Sequence, residues 1–150
     1  MTRLLMIFVL AIVGTIIVDQ NIKSIFVHGY YWGSDCISLE LHYNKGVAFS
    51  MFAFLGPYLK WIQMVLILGI VTYIFYEGYL RKYAFPSGML VGAALSNLYD
   101  RFIHDGVVDY IAWHCWFDFA VFNYADVMIN LSVAWILLVY YFDGDREVGS

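Results

Sequence analysis

The sequence predicts a membrane all-α fold with a small β element: four transmembrane helices, an extracytoplasmic antiparallel β structure and an interfacial segment. Three observations predict it. Of 150 residues, 63% are apolar and only 13% charged, about half the usual globular share of roughly 25%. Five Trp, thirteen Tyr and twelve Phe exclude a disordered chain, and the mean hydropathy of +0.72 suits lipid better than water. Four apolar stretches alternate with short polar segments, and the whole chain, 1–150, reads as a single membrane-embedded domain.

The first stretch, Leu4 to Val18, follows Arg3. Its fifteen residues cover only about 22 Å of a hydrocarbon core about 30 Å thick, so the helix must run on past Asp19, giving a span of about 4–26. A signal-peptide core has this length too, but no small-x-small cleavage site follows and Asp19-Gln20 comes next. The second span covers about 58–77, with Lys60 able to snorkel outward. The third covers about 84–100 and the fourth about 122–142.

Between the first two spans, Ile37, Leu39, Leu41 and Tyr43 alternate with Ser38, Glu40, His42 and Asn44, a period of two that predicts a strand. Lys45-Gly46 then offers a turn, with Val47 to Phe52 returning, so 37–52 reads as a small hairpin sheet. Arg101 to Val121, rich in Trp, Tyr and Phe, is expected along the membrane interface. With both termini inside, Arg3, Arg81, Lys82 and Arg146 are cytoplasmic and Lys23, Lys45, Lys60 and Arg101 are not. The basic pair 81–82 in a short loop favours that orientation.

Eight scattered Lys and Arg make no basic patch, so nucleic acid is not an expected partner. Cys36 and Cys115 fall in one compartment, where a disulfide and two inert apolar cysteines are both open readings. The four His (28, 42, 104, 114) have no ligand spacing and read as loop or interfacial residues, so neither metal nor cofactor is expected.

Ionisable groups at membrane depth cost about 2.5 kcal/mol or more, which makes each a candidate functional group. Asp19 and Lys23 stand four apart with the acid first, the favourable order for a helical ion pair. Asn97 and Arg101 share a face of the third span, while Asp100 continues the row Gly88, Gly92, Ser96, a small-residue packing surface that would hold Asp100 and Asn97 in place. In the fourth span Asn123, Asp126 and Asn130 form one polar stripe. Asp109, in the interfacial segment on the same side, can meet Asp126. Two carboxylates in contact at low dielectric share one proton, the machinery of aspartic proteolysis. The rival reading is a small proton-relay membrane transporter subunit, which explains the stripe but neither the β hairpin nor an acid in the interfacial segment.

Five blocks in order now resemble one family, the bacterial lipoprotein signal peptidases (signal peptidase II). Asp19-Gln20-Asn21-Ile22-Lys23 is similar to its D-Q-x-x-K block and Asn44-Lys45-Gly46-Val47-Ala48-Phe49 to N-x-G-x-A-F. Asn97-Leu98-Tyr99-Asp100-Arg101 resembles N-x-x-D-R, Gly106 to Tyr110 resembles G-x-V-x-D-F, and Phe122 to Ile129 resembles F-N-x-A-D-x-x-I. The resemblance implies an aspartyl endopeptidase of the bacterial inner membrane with both termini cytoplasmic and the active site near the outer leaflet. It would remove signal peptides from diacylglyceryl-modified prolipoproteins, cutting just before the lipidated cysteine.

By motif, Asp109 and Asp126 carry over as the catalytic pair, and Asn44, Gly46, Asn97, Arg101 and Asn123 as substrate-binding or carboxylate-holding groups. Asp19, Lys23, Asp100 and Ala125 carry over as structural members. The 37–52 sheet would be the family's periplasmic cradle. The implied partners are lipidated prolipoprotein, membrane lipids and peptide inhibitors of the globomycin type, and the implied state is a monomer. Departures are Ala93 and Ser96 where glycine is usual, and Tyr110 for Phe. Asp118 lies in 111–121, a segment without a family pattern, and reads as a solvated loop residue.

Overall fold

Helix α1 (Thr2–Val27) continues without a break past Asp19, because Asp19 and Lys23 neutralise each other inside the molecule, where both are buried. The computed structural model describes residues 1–46, 53–117 and 119–148. The predicted return strand Val47 to Phe52 and the loop residue Asp118 therefore lie outside the described residues. After a 3-10 turn (Ala53–Tyr58) come α2 (Leu59–Tyr76), α3 (Leu80–Ile103) and α4 (Tyr124–Val148). Among the described residues three helical stretches are long and apolar enough to cross a membrane: Thr2–Val27, Phe54–Tyr76 and Tyr124–Phe142.

Helix α3 differs from these in what it carries. Apart from Arg81 and Lys82, exposed at its start, its polar residues Ser87, Ser96, Asn97, Asp100 and Arg101 are all buried, so these groups face the other helices. The small-residue row, read as a packing surface, meets α1. A Cβ at Gly92 would lie 2.7 Å from the Ile12 carbonyl oxygen, and one at Gly88 would overlap the Phe8 carbonyl. Only hydrogen at these positions lets the two backbones approach so closely. The helix bends at Tyr83 (φ −122°, ψ 22°), three residues before Pro86, whose ring removes a helical hydrogen bond. An apolar core of Phe8, Ile67, Ile74, Leu80, Val91 and Leu98 joins α1, α2 and α3. Outward, Leu10, Val65, Leu66, Leu137 and Leu138 are each more than half exposed, as expected of surfaces that meet lipid.

Three antiparallel strands, β1 (Trp32–Gly33), β2 (Ile37–Asn44) and β3 (Val107–Trp113), form one sheet in the order β1-β2-β3. The period-two segment is a strand as read. Its partners among the described residues are β1 and β3, and β3 is a strand inside the stretch expected to lie along the interface. The alternation did not mark a dry face: Ser38 is buried through a 2.9 Å hydrogen bond with the His114 ring, while Tyr43 is 44% exposed. Between Leu39↔Ile111 and His42↔Asp109 the register slips by one residue, a bulge in β2. Beyond it Asn44 pairs with Val107, which sets the Asn44 side chain within reach of Asp109. Cys36 and Cys115 form a disulfide at the far end of the β2–β3 ladder, deciding between the two open readings.

Candidate active site

The site begins with the first turn of α4. Asn123 precedes the helix, and its Oδ1 accepts a 2.9 Å hydrogen bond from the Asp126 backbone N–H, while Asp126 Oδ2 accepts one of 3.1 Å from the Asn123 N–H. This reciprocal cap satisfies two N–H groups that a helix start leaves without partners, and it fixes the Asp126 carboxylate at the head of the helix. The Asn123 amide has a second task. Its Nδ2 lies 2.8 Å from Asp109 Oδ1, 3.1 Å from Asn97 Oδ1 and 3.2 Å from the Val108 carbonyl. One asparagine thus holds both carboxylates.

Each acid has a further amide donor. Asn44 Nδ2 donates to Asp109 Oδ2 at 3.0 Å, and Asn97 Nδ2 donates to Asp126 Oδ1 at 3.0 Å. Asn44 is itself held at the end of β2 by the Gly46 N–H, which donates to its Oδ1 at 2.9 Å. Asp109 and Asp126 line the same cavity, of about 650 Å³ and mostly apolar, with Leu59, Ile62, Phe122 and Ile129 among its walls. Burial, with the neighbouring Asp126 charge, pushes the Asp109 carboxyl up to about 7 against the pull of the Asn44 and Asn123 amides and of Lys23. Tyr110, next along β3, accepts the Tyr124 N–H at 3.0 Å through its hydroxyl and stacks on Phe26 at 4.2 Å, tying β3 to α4 and α1.

Behind this pair sits a buried ionic cluster. Lys23 Nζ lies 2.6 Å from Asp19 Oδ2, 2.7 Å from Asp100 Oδ2 and 2.8 Å from Asn97 Oδ1, so its three donors serve one partner on α1 and two on α3. The remaining lone pairs of the two acids are taken up as well. Ser96 Oγ donates to Asp19 Oδ2 at 2.7 Å and the Ala125 N–H to Asp19 Oδ1 at 3.0 Å. Gln20 Nε2 donates to Asp100 Oδ1 at 2.8 Å and the Val108 N–H to Asp100 Oδ2 at 3.1 Å. Burying one cation with two carboxylates is tolerable only when every donor and acceptor is used in this way. The cluster locks α1, α3, β3 and the start of α4 in one relative position.

Some sequence-read residues go elsewhere. Arg101 donates through Nε to Gln63 Oε1 at 3.0 Å and through Nη2 to the Gly46 carbonyl, on the rim of the cavity and without a hydrogen bond to either acid. Asn130, the third member of the α4 stripe, donates back to the Asp126 carbonyl of its own helix at 2.9 Å. Gln20, Gln63 and Ser96 had not been singled out as polar partners. Gln63, a polar side chain within an apolar span, carried the one signal that could have found it.

The description "Signal peptidase (SPase) II" belongs to the family model that matches residues 10–142. The lipoprotein signal peptidase of Sulfurovum sp. (strain NBC37-1) is 65% identical over 136 residues, 91% of this chain and 93% of that protein. That of Sulfurimonas denitrificans is 60% identical over 139 residues, 93% of this chain and 90% of that protein. A bacterial membrane enzyme solved by the in meso method at 2.3 Å resolution superposes with a TM-score of 0.78 at 24% identity, covering 93% of this chain and 90% of that one, and so shares the fold.

Proposed function

Because the chain belongs to the signal peptidase II family, we infer that it is an aspartyl endopeptidase that removes signal peptides from diacylglyceryl-modified prolipoproteins, with Asp109 and Asp126 as its catalytic pair. The observation that carries the assignment is the shared grip of Asn123 on both carboxylates within one cavity. In the reaction the pair holds one proton. The ionised member takes a proton from the attacking water, the protonated member donates to the scissile carbonyl oxygen, and the proton then passes to the departing amine.

The contacts support the remaining roles. Asn44, Asn97 and Asn123 orient the acids. Arg101, which lines the cavity, and Gly46, whose carbonyl accepts from Arg101, are suited to hold substrate backbone. Asp19, Lys23, Asp100 and Ala125 keep the helices in register behind them. Helix α3 is read as a fourth span, since its 24 residues reach about 36 Å and its buried polar face removes the cost of low hydropathy. With four spans both termini lie on the cytoplasmic side of the inner membrane and the acids lie near the outer leaflet. The apolar walls of the cavity suit a lipid-bearing segment and peptide inhibitors of the globomycin type, and the protein acts as a monomer. The test incubates the purified protein with a precursor before and after diacylglyceryl modification of its cysteine. Release of the signal peptide from the modified precursor alone is expected, and equal cleavage of both would contradict the substrate assignment.

A further inference from the structure

A second, smaller concavity opens at the same end of the molecule. It has a volume of about 200 Å³ and is lined by Lys45, Gly56, Pro57, Lys60, Arg101 and Asp105, three cations against one acid. The ion pairs among the described residues are Lys23 with Asp19 and Asp100, and His42 with Glu40. None of these neutralises the three basic groups. Arg101 is 8% exposed and held at two points, Gln63 and the Gly46 carbonyl, so one cation of the pocket is fixed and largely stripped of water. Lys60 Nζ stands 5.2 Å from the centre of the Phe102 ring, which keeps its ammonium at the rim.

Around this rim the exposed surface is aromatic. Phe54, Tyr58, Trp61 and Phe102 are 44–84% exposed, and Trp61 meets Phe102 edge to face at 5.6 Å. Lysine and aromatic rings at one end of an apolar helix mark the level at which lipid headgroups meet water. A cationic pocket at that level, with apolar rings directly beside it, matches a molecule carrying a phosphate and acyl chains.

We propose that the pocket formed by Lys45, Lys60 and Arg101 binds the phosphate headgroup of an anionic phospholipid, with its acyl chains lying over Trp61 and Phe102. The site rests on the membrane location of the chain and not on the peptidase reading. Because Arg101 also lines the cavity of the two acids, a bound lipid would sit beside that cavity without occupying it. Anionic lipid is favoured over zwitterionic lipid because three cations line the pocket against one acid and no ion pair among the described residues takes up Lys45, Lys60 or Arg101.

The test is native mass spectrometry of the whole protein in micelles, titrated in parallel with phosphatidylglycerol, phosphatidylcholine and inorganic phosphate. Phosphatidylglycerol is expected to be retained about tenfold better than phosphatidylcholine at low salt, with the preference shrinking at high salt. The double variant Lys45→Gln, Lys60→Gln should lose most of that preference while still cleaving a micelle-solubilised precursor. The salt titration of the unaltered protein tests the same point without any variant. Equal retention of the two lipids, a preference untouched by both salt and the double substitution, or displacement of phosphatidylglycerol by millimolar inorganic phosphate would overturn the assignment.

Discussion

Asn123 and Asp126 exchange hydrogen bonds across the first turn of α4, and the same Asn123 side chain reaches 2.8 Å to Asp109. The helix cap and the alignment of the two acids are thus one structure. Loss of a cap costs about 1 kcal/mol, whereas misaligned acids cost rate.

Asn123→Ala should lower kcat by about 100-fold or more with a smaller change in KM, since a misplaced reacting group is felt in the transition state. Asn123→Asp keeps a capping oxygen but removes the amide donor. It should recover the thermal stability lost in Asn123→Ala and leave activity low. Recovery of both would mean that the residue matters only as a cap.

Lys23→Met should be among the most destabilising single changes in the chain, because it strands the Asp19 and Asp100 carboxylates, both buried, without their cation. A loss of about 3–5 kcal/mol is expected for a broken buried pair. Thermal unfolding in detergent checks it, and the double change Lys23→Met, Asp100→Asn should be less harmful than the single one.

The pH dependence follows from Asp109, whose burial and acidic neighbour push its carboxyl up to about 7. Below that value it keeps a proton and above it the proton leaves. The proposed pair of Asp109 and Asp126 needs one shared proton, so kcat/KM should fall as pH rises through about 7 and fall again in acid once both members are protonated. A profile flat from pH 5 to 9 would contradict a carboxylate pair.

The Cys36–Cys115 disulfide closes a loop with a sequence separation of 79 residues that contains α2, α3 and β3. Reduction, or Cys36→Ser with Cys115→Ser, should lower stability by about 2–4 kcal/mol. The change should leave the substrate preference intact, which comparison of thermal midpoints and cleavage of two precursors would check.

Much of this site was legible in the sequence because polar residues are costly inside a membrane. Asp19, Lys23, Asn97, Asp100, Asn123 and Asp126 stood out against apolar surroundings, and their spacing of three and four already put them on shared faces. The family membership decides between a peptidase and a proton-relay transporter subunit in favour of the peptidase. Strand β3 was not legible, because the valines and aromatics of Val107–Trp113 suit a membrane interface as well as a strand. Nor was the pairing of β2 with β3 legible, since it joins residues more than sixty apart in the chain. Arg101 shared a face with Asn97 as read, yet its long side chain reaches across to Gln63 and Gly46 instead of the acids.

The most direct test of the catalytic pair is cleavage of a lipidated precursor by Asp109→Asn and by Asp126→Asn, each purified and shown to keep its thermal midpoint within a few degrees. Cleavage by each variant is expected to drop by about 1,000-fold or more, since a single acid can supply base or acid but not both in turn. Normal turnover by either folded variant would contradict the assignment of these two residues.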